Sequence, residues 1–348
     1  MSTAPPQLLE VADRVEAAIA DIFRDERATW RQLDAALDTP LGDLEDFVAG
    51  GGKRIRPAYC HWGWVTAGGD PDGAGALLGG CALELLHAFA LVHDDVMDGS
   101  PTRRGSATVW ARFIQRHEAG RWAGEDRRFG EAAAILVGDI AMVMADRCIG
   151  DASPDVRRTW DALRTELNMG QYLDVLGTAT GAVTAEGARR IMRNKTAGYT
   201  IVRPLQLGAA FAGRPDLADD LAAHGMPLGI AFQLRDDMLG AFGDSDKTGK
   251  PVGDDLLEGK PTVLLALANE RADDAQSDIL AKVGGPMTAD DIAAVQQVMV
   301  DTGAVAASET ETEQLLEEAL TAIDALPDAN GSRDALRALA DYVVERDS

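Results

Sequence analysis

Glu84-Leu85-Leu86-His87-Ala88-Phe89-Ala90-Leu91-Val92-His93-Asp94-Asp95-Val96-Met97-Asp98 decides the fold. It ends an apolar stretch that begins near Gly75, and Gly99, Ser100 and Pro101 close it as a helix is closed. The stretch predicts one long helix over residues 75–98, with three aspartates crowded at its end.

The same reading extends in both directions. Leu8, Val11, Val15, Ala18, Ile19 and Ile22 recur at helical spacing near the start. Pro40 and then Gly50-Gly51-Gly52 break the chain. Further helices are predicted over 131–148, 154–176, 185–212, 217–242 and 260–269, and the tail 289–344 reads as helices with polar outer faces. Residues 117–129 mix charge, Gly and Trp and read as a loop or insertion. Ala and Leu are plentiful, aromatics are 5%, and β-branched runs bounded by turns are few. The expectation is therefore all-α. No repeat and no Pro- or Ser-rich linker marks a seam, so residues 1–348 are expected to form a single large helical bundle.

The formal charge is -24, which argues against general nucleic-acid binding and against an anionic membrane surface. Cys60, Cys81 and Cys148 form no CxxC pair, so reduced thiols in a cytoplasm are expected. Glu10, Asp13 and Glu16 near the start are unlike a signal peptide, and no uninterrupted apolar run reaches the roughly 18 residues of a membrane span.

Asp94 and Asp98 stand one helical turn apart and face the same way. Paired carboxylates repel, and a helix C-terminus disfavours negative charge, so the arrangement is costly without a cation. Oxygen ligands suit Mg²⁺, which keeps waters and shares its shell with phosphate oxygens. The chain is rich in Asp, and a bare pair means little. Asp219-Asp220, Asp254-Asp255, Asp273-Asp274 and Asp290-Asp291 read as solvated loop or cap residues. Only the first motif extends to DDxxD. Only it and Phe232-Gln233-Leu234-Arg235-Asp236-Asp237 end long apolar segments. Two such acidic ends could grip a diphosphate from both sides through metal ions.

A diphosphate also needs cations. Gly51-Gly52-Lys53-Arg54-Ile55-Arg56-Pro57 supplies three after a Gly-rich turn, and Arg103-Arg104-Gly105 follows the first acidic motif. Of six lysines, Lys53, Lys195, Lys247, Lys250 and Lys260 fall in such motifs, and only Lys282 does not. A phosphate role is expected for Lys53, Lys195 and Lys250, and a solvated one for Lys247. His87 lies two turns before Asp94; a lone helical histidine is more often a satisfied core residue.

Together these motifs resemble the trans-type polyprenyl diphosphate synthases, in matching order from about Gly50 to Thr262. Glu84-Leu85-Leu86-His87, Gly170-Gln171-Tyr172-Leu173-Asp174, Lys195-Thr196-Ala197, Gly249-Lys250-Pro251-Val252-Gly253-Asp254-Asp255 and Gly259-Lys260-Pro261-Thr262 complete the set. The resemblance implies an isoprenoid-synthase-like bundle with a central cavity, a cytoplasmic homodimer, and three Mg²⁺ ions per active site. It implies that Lys53, Arg56, His87 and Arg104 bind isopentenyl diphosphate. Arg103, Lys195, Gln233, Lys250 and Lys260 would bind the allylic diphosphate. Asp94, Asp98 and Asp236 would be the main Mg²⁺ ligands, with Asp95 and Asp237 supporting. The carbonyl end of the Lys195-Thr196 helix and the Gln233 amide oxygen would stabilise a cation. The pattern departs at Gly240, which stands where the second motif usually has its last aspartate.

Product length is expected to depend on the residues four and five before the first aspartate, Ala90 and Phe89. A wheel at about 100° per residue puts Ala90, not Phe89, on the Asp94 side. By resemblance, one aromatic here implies geranylgeranyl diphosphate, with farnesyl or longer products as alternatives. A non-catalytic subunit and a terpene cyclase are remoter readings, since both acidic motifs and the Lys53/Arg56 turn are retained.

Overall fold

The computed structural model describes residues 4–180, 184–243 and 253–344. The chain divides into two compact units. One comprises Pro6–Arg157 and Leu207–Gly213; the other comprises Arg158–Gln206 and Arg214–Ser348, with Met1–Pro5. The boundaries at 157/158 and 206/207 cut through helices, and the one after Gly213 falls in a turn.

In the unit beginning at Pro6, helices α1 (Pro6–Leu33), α2 (Asp38–Ala49), α3 (Ile55–Thr66), α4 (Ala74–Met97), α5 (Val109–Gly120) and α6 (Asp126–Ile149) follow one another. On α1 the buried stripe is Leu8, Val11, Val15 and Ile19 as read, and then Phe23 rather than Ile22. Pro40 does not stop a segment; it lies in the first turn of α2, where its missing N–H costs nothing.

Helix α4 is the central rod. By length and mean composition it is long and apolar enough to cross a membrane, although Glu84 interrupts the apolar run. Most of that window is buried inside the fold, and it contains a buried Glu84. α6 packs along α4, and one contact sets how closely. A Cβ on Gly138 would come within 2.3 Å of the His93 ring, so glycine makes the space that His93 fills. His93 Nε2 then meets the Ile135 carbonyl at 2.9 Å, and the Phe89 ring lies edge-on to it with centroids 4.6 Å apart.

Residues 117–129 are mostly helix, not a loop. α5 runs through Gly120, α6 starts at Asp126, and the turn between them is clamped by Trp122 packed edge-on against Phe129 and His117. The strands β1 (Thr102–Arg103) and β2 (Ser106–Ala107) form a minimal hairpin between α4 and α5.

The other unit contains α7 (Pro154–Thr180) from Arg158 onward and α8 (Ala185–Ile191). A π-helical segment, Met192–Val202, leads into α9 (Arg203–Phe211). Then come α10 (Ala218–Phe242), α11 (Asp254–Glu258), α12 (Val263–Arg271), α13 (Asp274–Leu280), α14 (Ala289–Asp301), α15 (Ala304–Ala322) and α16 (Ser332–Val344). Their core gathers Met192, Ala197, Ile230, Leu234, Leu264, Leu267, Val295 and Met299. α10 touches the π segment closely: a Cβ on Gly229 would lie 2.5 Å from Ala197 Cα.

The expected capping aspartates are found. Asp273 caps α13 in a capping box, Asp290 and Asp291 open α14, and Asp219 and Asp220 open α10. Asp255 breaks the pattern. Its side chain is only 13% exposed and pairs with Lys260.

Candidate active site

The cationic turn before α3 sorts its three charges. Arg54 sits at a left-handed φ of +48° and turns its guanidinium inward. Nη1 donates to Glu84 Oε2 at 2.7 Å, Nε to Glu16 Oε1 at 2.9 Å, and Nη2 to the Val48 carbonyl at 2.8 Å. A buried guanidinium must be paired, and these three acceptors satisfy the fork. Arg54 is therefore structural, which corrects the reading of three phosphate-facing cations. Lys53 and Arg56, on either side of it, are half-buried.

The hairpin supplies the next cations. Arg104 and Gly105 both have positive φ, +51° and +73°, as a two-residue I′ turn requires. A non-glycine residue held there stores strain, a feature concentrated at functional sites. Arg104 donates to the Gly51 carbonyl, so the glycine turn and the hairpin tip are tied together. Burial lowers the Arg104 pKa, and Arg103, Arg54 and Arg56 add to the effect against an opposing Glu84. The same crowd surrounds His87. Burial first, and then Arg56, Arg104, Arg103 and Arg54, push its pKa well below the usual range, so the imidazole is neutral at pH 7. Concentrated, partly desolvated guanidinium groups around a neutral hydrogen-bonding ring suit a polyanion.

The acidic end of α4 also divides its labour. Asp95 is 1% exposed and accepts from Arg103 Nε at 2.7 Å, bracing the hairpin. Asp94 is half-buried and Asp98 exposed, one turn further on. The Asp98 N–H caps the Asp94 carbonyl at 2.8 Å, so both carboxylates sit at the negative end of the helix dipole.

In the other unit, Lys195 and Thr196 lie inside the π segment. The helix does not end there. The Arg203 N–H reaches back to the Gly198 carbonyl, five residues away, and the widened turn continues into α9. Lys195 Nζ contacts Asp174 Oδ2 of α7 at 2.5 Å. On α10, Gly225, Gly229, Gln233 and Asp237 form one i, i+4 ridge, whose two glycines face the π segment. Gln233 Nε2 donates to Asp237 Oδ1 at 2.7 Å. Burial raises the Asp237 pKa well above the carboxylate range, opposed by the Gln233 hydrogen bond and reinforced by Asp255 and Asp236. Asp236, next in sequence, is exposed. Lys260 Nζ stands 2.7 Å from Glu258 and 3.1 Å from Asp255. Burial works against its charge, but those two carboxylates outweigh it and hold its pKa above the lysine norm. Lys250, with Lys247 and Asp244, lies outside the described residues.

Glu84 and Asp174 stand in the motifs without an expected role, and Asp255 was expected to be a solvated loop or cap residue. Their partners, Arg54, Lys195 and Lys260, are the cations of those motifs. Opposite charge within one motif set was the available signal.

The donors fit magnesium. In each acidic motif one aspartate is buried and held inward, Asp95 by Arg103 and Asp237 by Gln233, while Asp94, Asp98 and Asp236 are more exposed carboxylates that could hold the ion. Among the described residues no group of three or more His, Cys, Asp or Glu forms an all-protein cage. Mg²⁺ is normally held by one or two carboxylates plus substrate phosphates, so none is needed.

An all-helical chain with a cationic turn and a DDxxD helix end falls in the class of helical isoprenyl diphosphate synthases. The comparisons place it further: a family model for polyprenyl synthetase matches residues 42–301, and the chain belongs to that family. It is 31% identical over 310 residues to geranylfarnesyl diphosphate synthase of Aeropyrum pernix, covering 86% of this chain and 92% of the relative. It is 33% identical over 317 residues to geranylgeranyl diphosphate synthase of Mycobacterium tuberculosis, covering 88% and 83%. The fold matches a geranylgeranyl pyrophosphate synthase from Corynebacterium glutamicum, complexed with isoprenyl diphosphate and magnesium. There the TM-score is 0.91, identity 38%, and 99% of each chain is covered. The chain is thus a member of the trans-prenyl diphosphate synthases, enzymes of prenyl diphosphate synthesis.

Proposed function

We propose that this enzyme condenses isopentenyl diphosphate head to tail with an allylic diphosphate and that its main product is geranylgeranyl diphosphate. The observation that carries the reading is the crowd of Arg56, Arg103 and Arg104 around neutral His87, on the same rod as Asp94 and Asp98. The likeness to relatives named geranylgeranyl synthases supports the product.

Lys53, Arg56, His87 and Arg104 hold isopentenyl diphosphate, and Arg103, Lys195, Lys250 and Lys260 hold the allylic diphosphate. Asp94, Asp98 and Asp236 are the magnesium ligands, with Asp95 and Asp237 as braces. When bound, three magnesium ions supply positive charge to the diphosphate leaving group. The allylic C–O bond breaks with both electrons going to the diphosphate, and the fixed cations stabilise that charge as it develops. Backbone carbonyls of the Lys195-Thr196 segment and the Gln233 amide oxygen face the allylic cation. The alkene of isopentenyl diphosphate, held close by its own cations, bonds to that cation. The released diphosphate takes the proton lost from the isopentenyl unit, and water must be kept from the cation until then.

Phe89, with Ala90 beside it, limits the growing chain. Phe89 is 8% exposed and stacks on His93, on the α6 side of α4. The protein acts as a cytoplasmic homodimer. Leu136 and Val143, 63% and 57% exposed on α6 with Ile135 beside them, offer an apolar face for the second copy. Its three thiols are free and buried, in keeping with a reducing compartment.

The test is direct. Purified protein receives isopentenyl diphosphate, magnesium and, in turn, dimethylallyl, geranyl or farnesyl diphosphate, and products are identified by chain length. The expected product has four isoprene units; no condensation with any primer would overturn the proposal.

A further inference from the structure

A phenylalanine limits a channel only if its ring stays in place. On a helix, two of the three staggered χ1 settings are open to such a side chain, so Phe89 needs a neighbour that closes one of them. The geometry supplies His93, one turn further along α4 and on the same face. The two rings meet edge-on, with centroids 4.6 Å apart and planes at 61°.

His93 is itself fixed from α6. A carbonyl only accepts, so the 2.9 Å contact between His93 Nε2 and the Ile135 carbonyl requires the hydrogen on Nε2. Asp139 Oδ1 stands 3.8 Å from the same nitrogen, beyond hydrogen-bond range, so the backbone is the partner. Gly138 makes the room: a Cβ there would lie 2.3 Å from both Cδ2 and Nε2 of the ring. The imidazole fills the place that any side chain at 138 would take. The His93 side chain is 20% exposed and Phe89 is 8% exposed. One ring thus touches Phe89 on its own helix and residues 135 and 138 on the next.

We infer that His93 is a positioning residue for product length: anchored to the Ile135 carbonyl beside Gly138, it holds the Phe89 ring in place. The inference rests on the proposed role of Phe89 as the limit on the growing chain. His93 takes no part in ionisation or condensation. Without its ring, Phe89 gains a second setting toward α6, and the end that Phe89 closes stands open part of the time. The products then become a mixture that includes longer chains, although Phe89 is still present.

Product analysis on the full-length enzyme, with farnesyl and isopentenyl diphosphates and magnesium, tests it. Melting temperature and the magnesium concentration for half-maximal rate are measured in parallel. His93→Ala should raise the share of products longer than four isoprene units by about fivefold, the order that one aromatic pair contact is worth. His93→Gln, which keeps a donor for the Ile135 carbonyl but no ring, should do the same, and it carries the test should the alanine variant not fold. His93→Ala combined with Phe89→Ala should give the same product lengths as Phe89→Ala alone, because no ring is left to hold. If Phe89→Ala lengthens the product while neither His93 variant does, the inference alone fails. If the double variant makes longer chains than Phe89→Ala, His93 is itself a wall and the inference falls. It falls as well if the His93 variants keep the parent's products but need more magnesium, because His93 then serves its neighbour Asp94. If Phe89→Ala leaves the products unchanged, the assigned role of Phe89 fails, and the inference with it.

Discussion

Arg54 and Glu84 form a buried ion pair, Nη1 to Oε2 at 2.7 Å, with side chains 5% and 4% exposed. The pair ties the cationic turn before α3 to the middle of α4, one turn from His87. Removing one partner strands a charge away from water. Glu84→Ala is expected to destabilise the fold by about 3–5 kcal/mol. Replacing both residues with apolar groups of similar volume should recover much of that loss. Thermal and denaturant melts of the single and double variants check it.

Asp94→Ala should leave the melting temperature nearly unchanged, because Asp94 sits at a helix end where negative charge is disfavoured. It should lower kcat at least a hundredfold, about 3 kcal/mol of transition-state stabilisation. Steady-state kinetics at saturating magnesium read this out, and a fully active variant would refute the assigned role.

Phe89→Ala should lengthen the product. The ring's removal frees space beside His93 on α4 without touching a charged group. Product analysis with a farnesyl primer should show chains of five or more isoprene units. An unchanged product spectrum would reject Phe89 as the limit.

Gly229→Ala drives a methyl to 2.5 Å from the Ala197 Cα, where backbone rather than a mobile side chain must yield. A loss of about 1–3 kcal/mol is expected from overpacking. Turnover should fall as well, because Lys195 and Thr196 sit on the displaced segment. Melting temperature and kcat, measured together, test the coupling.

His61 makes stability depend on pH. Burial, helped by Arg14 and opposed by Asp72, lowers its pKa from 6.5 to about 4. Between those values the unfolded chain takes up a proton that the folded chain refuses. This contribution is therefore complete above about pH 6.5 and is lost as pH falls toward 4, amounting to up to about 3 kcal/mol. Melting temperatures from pH 7 to pH 4 should drop more steeply for the parent than for His61→Gln; parallel curves would rule the group out.

The helices were legible where an apolar run meets Gly or Pro. α4 stops at Gly99, and α10 was read to within a residue at both ends. The π segment was not legible, because its wider turn leaves no mark on composition; only the folded chain shows it, packed closely against Gly229 at Ala197. Adjacent cations were equally opaque. Arg54 and Arg56 differ in fate because φ at Arg54 turns its side chain to Glu84. Composition misread residues 117–129, where tryptophan and phenylalanine pack on each other rather than mark a loop. Asp255 looked like one more solvated pair member. Only its pairing with Lys260 in the folded chain distinguishes it. Two of the unit boundaries left no linker signature because they fall inside α7 and α9.

Helix α4 strings together the counter-ion of Arg54, the ring of His87, the bulk of Phe89 and the carboxylates of Asp94 and Asp98 within four turns. Libraries that randomise this rod to retune product size will therefore select against themselves, since most multiple changes also injure folding or turnover. A productive engineering campaign would leave α4 untouched, and Gly138 with it, and work instead on neighbouring α6 around Ile135, whose carbonyl meets His93.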